Sequence, residues 1–295
     1  MAKNYMYRIL CTGCAGFIGS HLVDKLLELG HKVDIIDDLS TGKEENLNPK
    51  ATFINWDISE VYFGGSYDYV FHLAALPSVP YSMEHPTKTH RVNVNGTHHI
   101  LKASLDNKVK KVIFASSSAV YGNKGSQNDE SDLLYPESPY AFHKMVGEQY
   151  CEMFNKIYGL PTVALRFFNV YGKRADPNNE YSLVIAKFLK LKKEGKPLVI
   201  YGDGEQTRDF VHVSDVVNAL ILAMTKPVKN EVINICSGKS SSINNIANII
   251  SDKKEYLPAR KGDVLHTKGN NVKAKRLLGW ESEITIEDGI KELER

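Results

Sequence analysis

One stretch constrains this chain more than any other. Cys11-Thr12-Gly13-Cys14-Ala15-Gly16-Phe17-Ile18-Gly19 follows the short apolar run Arg8-Ile9-Leu10 and leads into the helical spacing Leu22-Val23-Leu26-Leu27. Three glycines at intervals of three, between a strand and a helix, make a turn in which a dinucleotide pyrophosphate can sit. Gly13 permits the tight turn, Gly16 removes a Cβ that would bar a phosphate, and Gly19 lets the helix close on the sheet. Phe17 and Ile18 open that helix, whose free N–H groups and positive dipole end attract an anion. The next run, Val33-Asp34-Ile35-Ile36-Asp37, reads as a second strand ending in a carboxylate, close to the offset at which an acid grips the adenosine ribose. A carboxylate there prefers ribose hydroxyls to a 2′-phosphate. The sequence therefore predicts NAD rather than NADP, with Asp37 and its neighbour Asp38 as contacts.

A length of 295 residues suits one large α/β domain, or such a domain with a smaller lobe. A net charge of +2 with 24% charged residues gives no overall bias toward nucleic acid or a membrane surface. Met1-Ala2-Lys3-Asn4-Tyr5 has no long apolar core behind it, and no apolar run approaches the ~20 residues of a membrane helix. A soluble, cytoplasmic protein is expected. The four cysteines do not make a disulfide framework. Cys11 and Cys14 have CxxC spacing, but they lie inside the glycine turn without a second ligand pair, so no metal is expected.

Farther along, Ala51 to Asp57 reads as a third strand with Asp57-Ile58 at its carboxyl end, where α/β sheets bind ligands and adenine could be contacted. Tyr67 to Ala75 supplies a fourth, whose end admits a cofactor closely, with Leu73, Ala74 and Ala75 as contacts and His72 read as a packed core residue. Pro86 to Leu105 has helical spacing. Lys111 to Ala115 is a fifth strand, ending in the hydroxyls Ser116-Ser117-Ser118 at an edge that faces the crevice. Ser138 can cap a helix and Pro139 can occupy its first position, which predicts a helix to about Tyr158-Gly159. Tyr140 and Lys144 then share one face. Pro161 to Phe168 is another strand, Gly172 to Asn179 is turn-rich, Leu183 to Lys193 is an amphipathic helix with solvated lysines, and Val211 to Met224 returns as a strand end and helix. The alternation predicts a doubly wound parallel sheet of the Rossmann type with a smaller C-terminal α/β lobe. The expected division is 1–168 plus 206–235 for the dinucleotide-binding domain and 169–205 plus 236–295 for the substrate lobe.

Taken together, Gly13-x-x-Gly16-x-x-Gly19, Ser117, Tyr140-x-x-x-Lys144 and Arg166-Phe167-Phe168-Asn169 with Val170-Tyr171-Gly172 resemble the extended short-chain dehydrogenase/reductases that act on nucleotide sugars. The resemblance covers nearly the whole chain; Cys14 departs from it where a further glycine is common. It implies Tyr140 as the base, Lys144 as its activator and ribose ligand, and Ser117 as the hydroxyl bonded to the reacting sugar oxygen. It also places Asn93 among the cofactor contacts. A tyrosine titrates near ~10, so bringing it to about 7 needs roughly 4 kcal/mol of differential stabilisation. One ammonium at ~4 Å in an effective dielectric of ~20 is worth about that much, and the nicotinamide cation adds to it.

In related dehydratases and decarboxylases a carboxylic acid stands one or two places after the serine. Here the positions are Ser118 and Ala119, without the acid that elimination needs and without the cysteine of 3,5-epimerases. Reversible oxidation at one carbon remains, and the resemblance is closest to UDP-hexose 4-epimerases. It implies a UDP-sugar held by Ser117, Ser118, Asn169, Tyr201, Arg208, Arg260 and Asp263, with the arginines clamping the diphosphate, Asp263 receiving ribose hydroxyls and Tyr201 stacking on uracil. It further implies a homodimer formed through the helix carrying Tyr140 and the helix near Asn93 to Leu105.

Overall fold

The computed structural model describes residues 5–60, 62–123, 127–177, 184–259 and 265–295. Its centre is a seven-stranded sheet in which every pairing is parallel. We label β1 (Arg8–Thr12), β2 (Lys32–Asp37), β3 (Thr52–Asn55), β4 (Tyr69–His72) and β5 (Lys111–Ser117). The order across the sheet is Glu231–Ile235, Thr162–Phe167, β5, β4, β1, β2, β3. The chain runs from β1 outward to β3, then crosses back to β4 and proceeds the other way. That reversal leaves a crevice beyond the carboxyl ends of β1 and β4, which is where sheets of this kind bind ligands.

Helices cover both faces, so the strands are apolar on both sides. Alternate residues feed opposite layers: Ile9, Cys11, Ile35 and Ile113 pack into one core with Leu22, Leu26 and Leu220. Leu10, Ile36, Val112 and Phe114 pack into the other with Ile100, Leu101 and Phe154. A third core, outside the sheet, gathers Ile185, Phe188, Leu198, Ile200, Ile246 and Ile290. The helix Val272–Leu278 lies in the stretch assigned to the lobe, yet its Ala274 and Leu278, with Trp280, complete the first core of the sheet. Trp280 donates its indole N–H to the Asp215 carbonyl at 2.8 Å, which fixes this return.

Two helices matter for the site. Pro139–Tyr158 starts and stops as its sequence dictates: the Ser138 hydroxyl accepts from the Ala141 N–H, Pro139 takes the first position, and Gly159 ends it in the left-handed region at φ 73°. The helical spacing over 86–105 is realised as Pro86–His90 and Thr97–Asp106 joined by a wider π-helical stretch, Arg91–Gly96. Asn93 lies in that wider turn. Its carboxamide accepts from the Leu76 N–H at 2.8 Å and donates to the Leu76 carbonyl at 3.1 Å. Among the described residues, no helix is long and apolar enough to cross a membrane.

Candidate active site

The glycine turn sits at the carboxyl end of β1, as its sequence requires. Gly13 has φ 72°, and a Cβ there would lie 2.4 Å from the Ala74 backbone, so β4's continuation leaves room for glycine alone. A Cβ on Gly19 would come within 2.6 Å of Cys14 Cα, so this glycine closes the helix onto the turn itself rather than onto the sheet. Gly16 is less crowded, its nearest neighbour being the Gly13 carbonyl oxygen at 3.2 Å. It precedes the helix Phe17–Glu28, whose N-terminus has no side-chain cap. Uncapped N–H groups at the mouth of a cradle without side chains fit a pyrophosphate.

A cleft of about 520 Å³ extends from this turn in both directions. Phe17, Ile18, Asp37 and Asp38 line it on one side, and Leu73, Ala74 and Ala75 on another. Asp37, at the end of β2, is 7% exposed and accepts from the Ala15 and Leu39 N–H groups, both at 2.9 Å. Burial raises its carboxyl above the ordinary value, and those two amides pull it back. Asp38 is tied to Ser40 through Oδ1. Asp57 and Ile58 also line the cleft; Asp57 already accepts from Ser59 and pairs with Arg91 at 2.8 Å. Asn93 lies behind the lining residues, holding Leu76.

At the other end the cleft reaches Ser116, Tyr140 and Lys144. Ser117 closes β5, where its hydroxyl accepts from the Ala119 N–H at 3.1 Å and also bonds the Tyr140 side chain. The Lys144 ammonium donates to the Ala115 carbonyl at 2.7 Å and lies 5.9 Å from the Tyr140 ring centre. Burial pushes Lys144 down to about 8, against the pull of the Glu148 carboxylate. Burial likewise raises the Tyr140 phenol, and the Ser117 hydrogen bond lowers it. Desolvation is the larger influence on the phenol, and the ammonium is committed to a backbone carbonyl.

Beneath these groups is a network that the sequence reading missed. Glu148, 5% exposed, accepts from the Ser116 hydroxyl and from Arg166 Nε and Nη2 at 2.9 and 2.7 Å. Arg166 Nη1 reaches the Tyr121 hydroxyl at 2.8 Å, and Tyr121 donates to Asn234 at 2.7 Å. Two signals were available: Tyr140, Lys144 and Glu148 repeat at four-residue spacing, and Arg166 interrupts an apolar strand. His72 is the packed residue expected, between Thr12 at 2.7 Å and Thr97 at 2.9 Å.

The sugar-side candidates stand apart from this cleft. Asn169 opens the strand Asn169–Tyr171 and donates to the Asp209 carbonyl and the Thr267 hydroxyl. Arg208 is half-buried, with Nη1 on the Thr207 and Leu265 carbonyls. Tyr201 ends the strand Leu198–Tyr201, paired in register with Leu257, and the following Gly202 faces Ala259. Ser118, in the turn after β5, is half-buried and has no carboxylate beside it at Ala119. Arg260 and Asp263 lie outside the described residues. At the adenosine end, Lys43 and Asp176, 3.4 Å apart, line the cleft with Trp56, and neither pattern nor spacing singled them out.

Comparison with known proteins agrees with this geometry. A putative UDP-glucose 4-epimerase of Methanocaldococcus jannaschii is 40% identical, over 96% of both chains. The structure of a UDP-glucose 4-epimerase from Thermotoga maritima with UDP-glucose superposes with a TM-score of 0.93 at 40% identity, covering 96% of each chain. A UDP-N-acetylglucosamine 4-epimerase from Methanobrevibacter ruminantium, in complex with UDP-N-acetylmuramic acid, does so at 0.92 and 39%, covering 98% of each. The model of the NAD dependent epimerase/dehydratase family matches residues 9–236, the span that carries the glycine turn, Ser117, Tyr140 and Lys144. The chain belongs to that NAD-dependent family.

Proposed function

We propose that this protein is a UDP-hexose 4-epimerase, acting on UDP-glucose and UDP-galactose or on their N-acetylated forms. The observation that carries the reading is the meeting of Ser117, Tyr140 and Lys144 at one end of a dinucleotide cradle, with no carboxylic acid at Ser118 or Ala119. The residues present fit NAD, with the glycine turn at the pyrophosphate and Asp37 at the adenosine ribose. Bound NAD supplies the hydride acceptor, and then the donor, together with positive charge near the phenol.

The chain's own groups do the rest. Ser117 hydrogen-bonds the sugar's 4-hydroxyl and orients it toward Tyr140. The Tyr140 oxygen takes the hydroxyl proton as carbon 4 becomes a ketone, and gives it back when the alcohol re-forms. Lys144, anchored on Ala115, keeps a positive charge beneath the tyrosine and offers its remaining protons to the nicotinamide ribose. Inversion requires the keto sugar to present its other face while the nucleotide stays fixed. Arg208, Arg260, Asp263, Asn169 and Tyr201 are the proposed grip on the UDP moiety, so that the hexose alone turns. Ser118 and Ala119 give elimination or decarboxylation no acid, which favours epimerisation within the family.

The working form is proposed to be a cytoplasmic homodimer, paired through Pro139–Tyr158 and Thr97–Asp106; Phe142, Ile157 and Tyr158 are exposed on the first of these helices. Sedimentation as a monomer would contradict the dimer. For the reaction, the test is proton NMR of the purified protein with UDP-glucose and, separately, UDP-N-acetylglucosamine, with NADH absorbance followed in parallel. The 4-epimer should appear without net NADH. Steady accumulation of NADH and no epimer would instead make the protein a net dehydrogenase.

A further inference from the structure

The helix that carries Tyr140 has an N-terminus whose donors can be fully accounted for. Pro139 has no N–H. The Ala141 N–H goes to the Ser138 hydroxyl at 3.2 Å, and the Phe142 N–H to the Ser138 carbonyl at 2.9 Å. The amide of Tyr140 itself is held from elsewhere in the chain: it donates to the Ser82 hydroxyl at 3.1 Å. Ser82 is fully buried. Its single proton is given to the Val79 carbonyl at 2.6 Å, so one hydroxyl spans from the Val79 backbone to the Tyr140 backbone.

Ser82 sits in the short helix Val79–Glu84, capped by Ser78, and Ser78, Val79 and Pro80 line the cleft. One wall of the cleft is therefore hydrogen-bonded, through one side chain, to the residue whose phenol faces Ser117 on the other side. Lys144 and Glu148 fix the following two turns of the helix to Ala115 and to Ser116. Ser82 supplies the matching attachment at the first turn, where the reacting oxygen is carried.

We propose that Ser82 is a positioning residue for the reaction, holding Tyr140 in register with Ser117 by fixing the tyrosine's own amide to the cleft wall. The proposal rests on the reading of Tyr140 as the proton-transferring group. Ser82→Ala leaves the Tyr140 N–H without its acceptor and frees the first turn to withdraw from Ser117. The phenol then loses the hydrogen bond that lowers it, while the glycine turn and Asp37, which make no contact with Ser82, keep their own hydrogen bonds.

The experiment is titration of Tyr140 in the NAD-loaded protein by NMR of ring-labelled tyrosine, assigned by its loss in Tyr140→Phe. Wild type, Ser82→Ala and Ser138→Ala are compared, the last removing the neighbouring cap and thus matching the structural damage. Ser82→Ala should titrate higher by about one unit, equivalent to tenfold less phenolate at neutral pH. Its kcat should fall by about the same tenfold, with KM and the NAD dissociation constant each within about twofold of wild type. Ser82→Cys, close in size and a weaker acceptor, should fall between and serves if the alanine variant does not fold. An unchanged Tyr140 titration in the Ser82 variants, or an equal shift in Ser138→Ala, would overturn the proposal. The titration needs no turnover, so a protein that epimerises neither UDP-sugar would refute the functional reading while leaving the Ser82 result decisive in its own right.

Discussion

The two halves of the site are built differently. The half that faces the dinucleotide consists of strand ends and a turn whose backbone has almost no freedom. Gly13 is pressed against Ala74, Asp37 is held by two amides, and Lys144 is fixed to Ala115. The half proposed to hold the sugar is carried by short pairings, such as Thr207–Arg208 with Ser241–Ser242 and Asn169–Tyr171 with Phe210–His212, around a separate core. Among the described residues, Asn169 reaches the Asp209 carbonyl and the Thr267 hydroxyl, and Arg208 reaches the Thr207 and Leu265 carbonyls. A reaction in which one molecule stays bound while another must turn over needs that contrast. Rigidity at the reacting oxygen sets geometry to the fraction of an ångström that catalysis requires, and the proposed inversion needs a hexose that can turn.

The contrast predicts that damage to the sheet half is expressed as stability, and damage to the lobe as affinity. The largest effect should come from Glu148→Gln, which leaves the Arg166 guanidinium, 4% exposed, without its counter-charge. Breaking a buried pair in this way costs about 3–5 kcal/mol. Denaturant unfolding of Glu148→Gln would measure it, and a loss under about 1 kcal/mol would show that the network is not what holds the helix to the sheet.

Next in size is a pH effect centred on His72 in the sheet half. Burial pushes His72 down from 6.5 to about 3, so the folded state keeps it neutral while the unfolded chain takes up a proton. The unfolded state then binds more protons between those values, and stability must fall as the pH drops below 6.5. By pH ~5 the loss from this residue is about 2 kcal/mol. Unfolding curves at neutral and acid pH should converge partly in His72→Gln, and an identical acid sensitivity in both proteins would assign the effect elsewhere.

The smallest of the three concerns the lobe. Arg208→Ala should weaken UDP binding about tenfold, or ~1.4 kcal/mol, with NAD affinity and unfolding midpoint nearly unchanged. Calorimetry with UDP and with NAD reads both at once. A variant that unfolded early, or lost NAD equally, would erase the distinction between the halves.

The same contrast decides what the sequence made legible. Glycine spacing, an acid at a strand end, a Ser-Pro helix start and the Tyr140/Lys144 interval are local patterns, each with a local physical cause. They led to the parallel sheet, to the helix Pro139–Tyr158 and to part of the cleft lining, among it Gly13, Gly16, Asp37, Asp57 and Ala74. The pairing of Glu148 with Arg166 went unread because the two lie 18 residues apart and meet only across the sheet and helix. Trp56, Lys43 and Asp176 come together only once the chain is folded. The return of Ala274, Leu278 and Trp280 to the sheet core likewise has no signature in spacing, because a helix pattern shows which residues are apolar and not which core receives them. The π-helical stretch at Arg91–Gly96 also escaped; Asn93 within it reaches Leu76, a tertiary contact that spacing does not reveal.

The most direct test of the account is to run the reaction in deuterated water and inspect carbon 4 of the epimerised sugar by NMR. If Tyr140 moves only the hydroxyl proton and the hydride returns from the bound cofactor, the product keeps its original hydrogen at carbon 4. Deuterium at that carbon would show a carbanion route with solvent exchange, and would contradict both the oxidation mechanism and the role given to Tyr140.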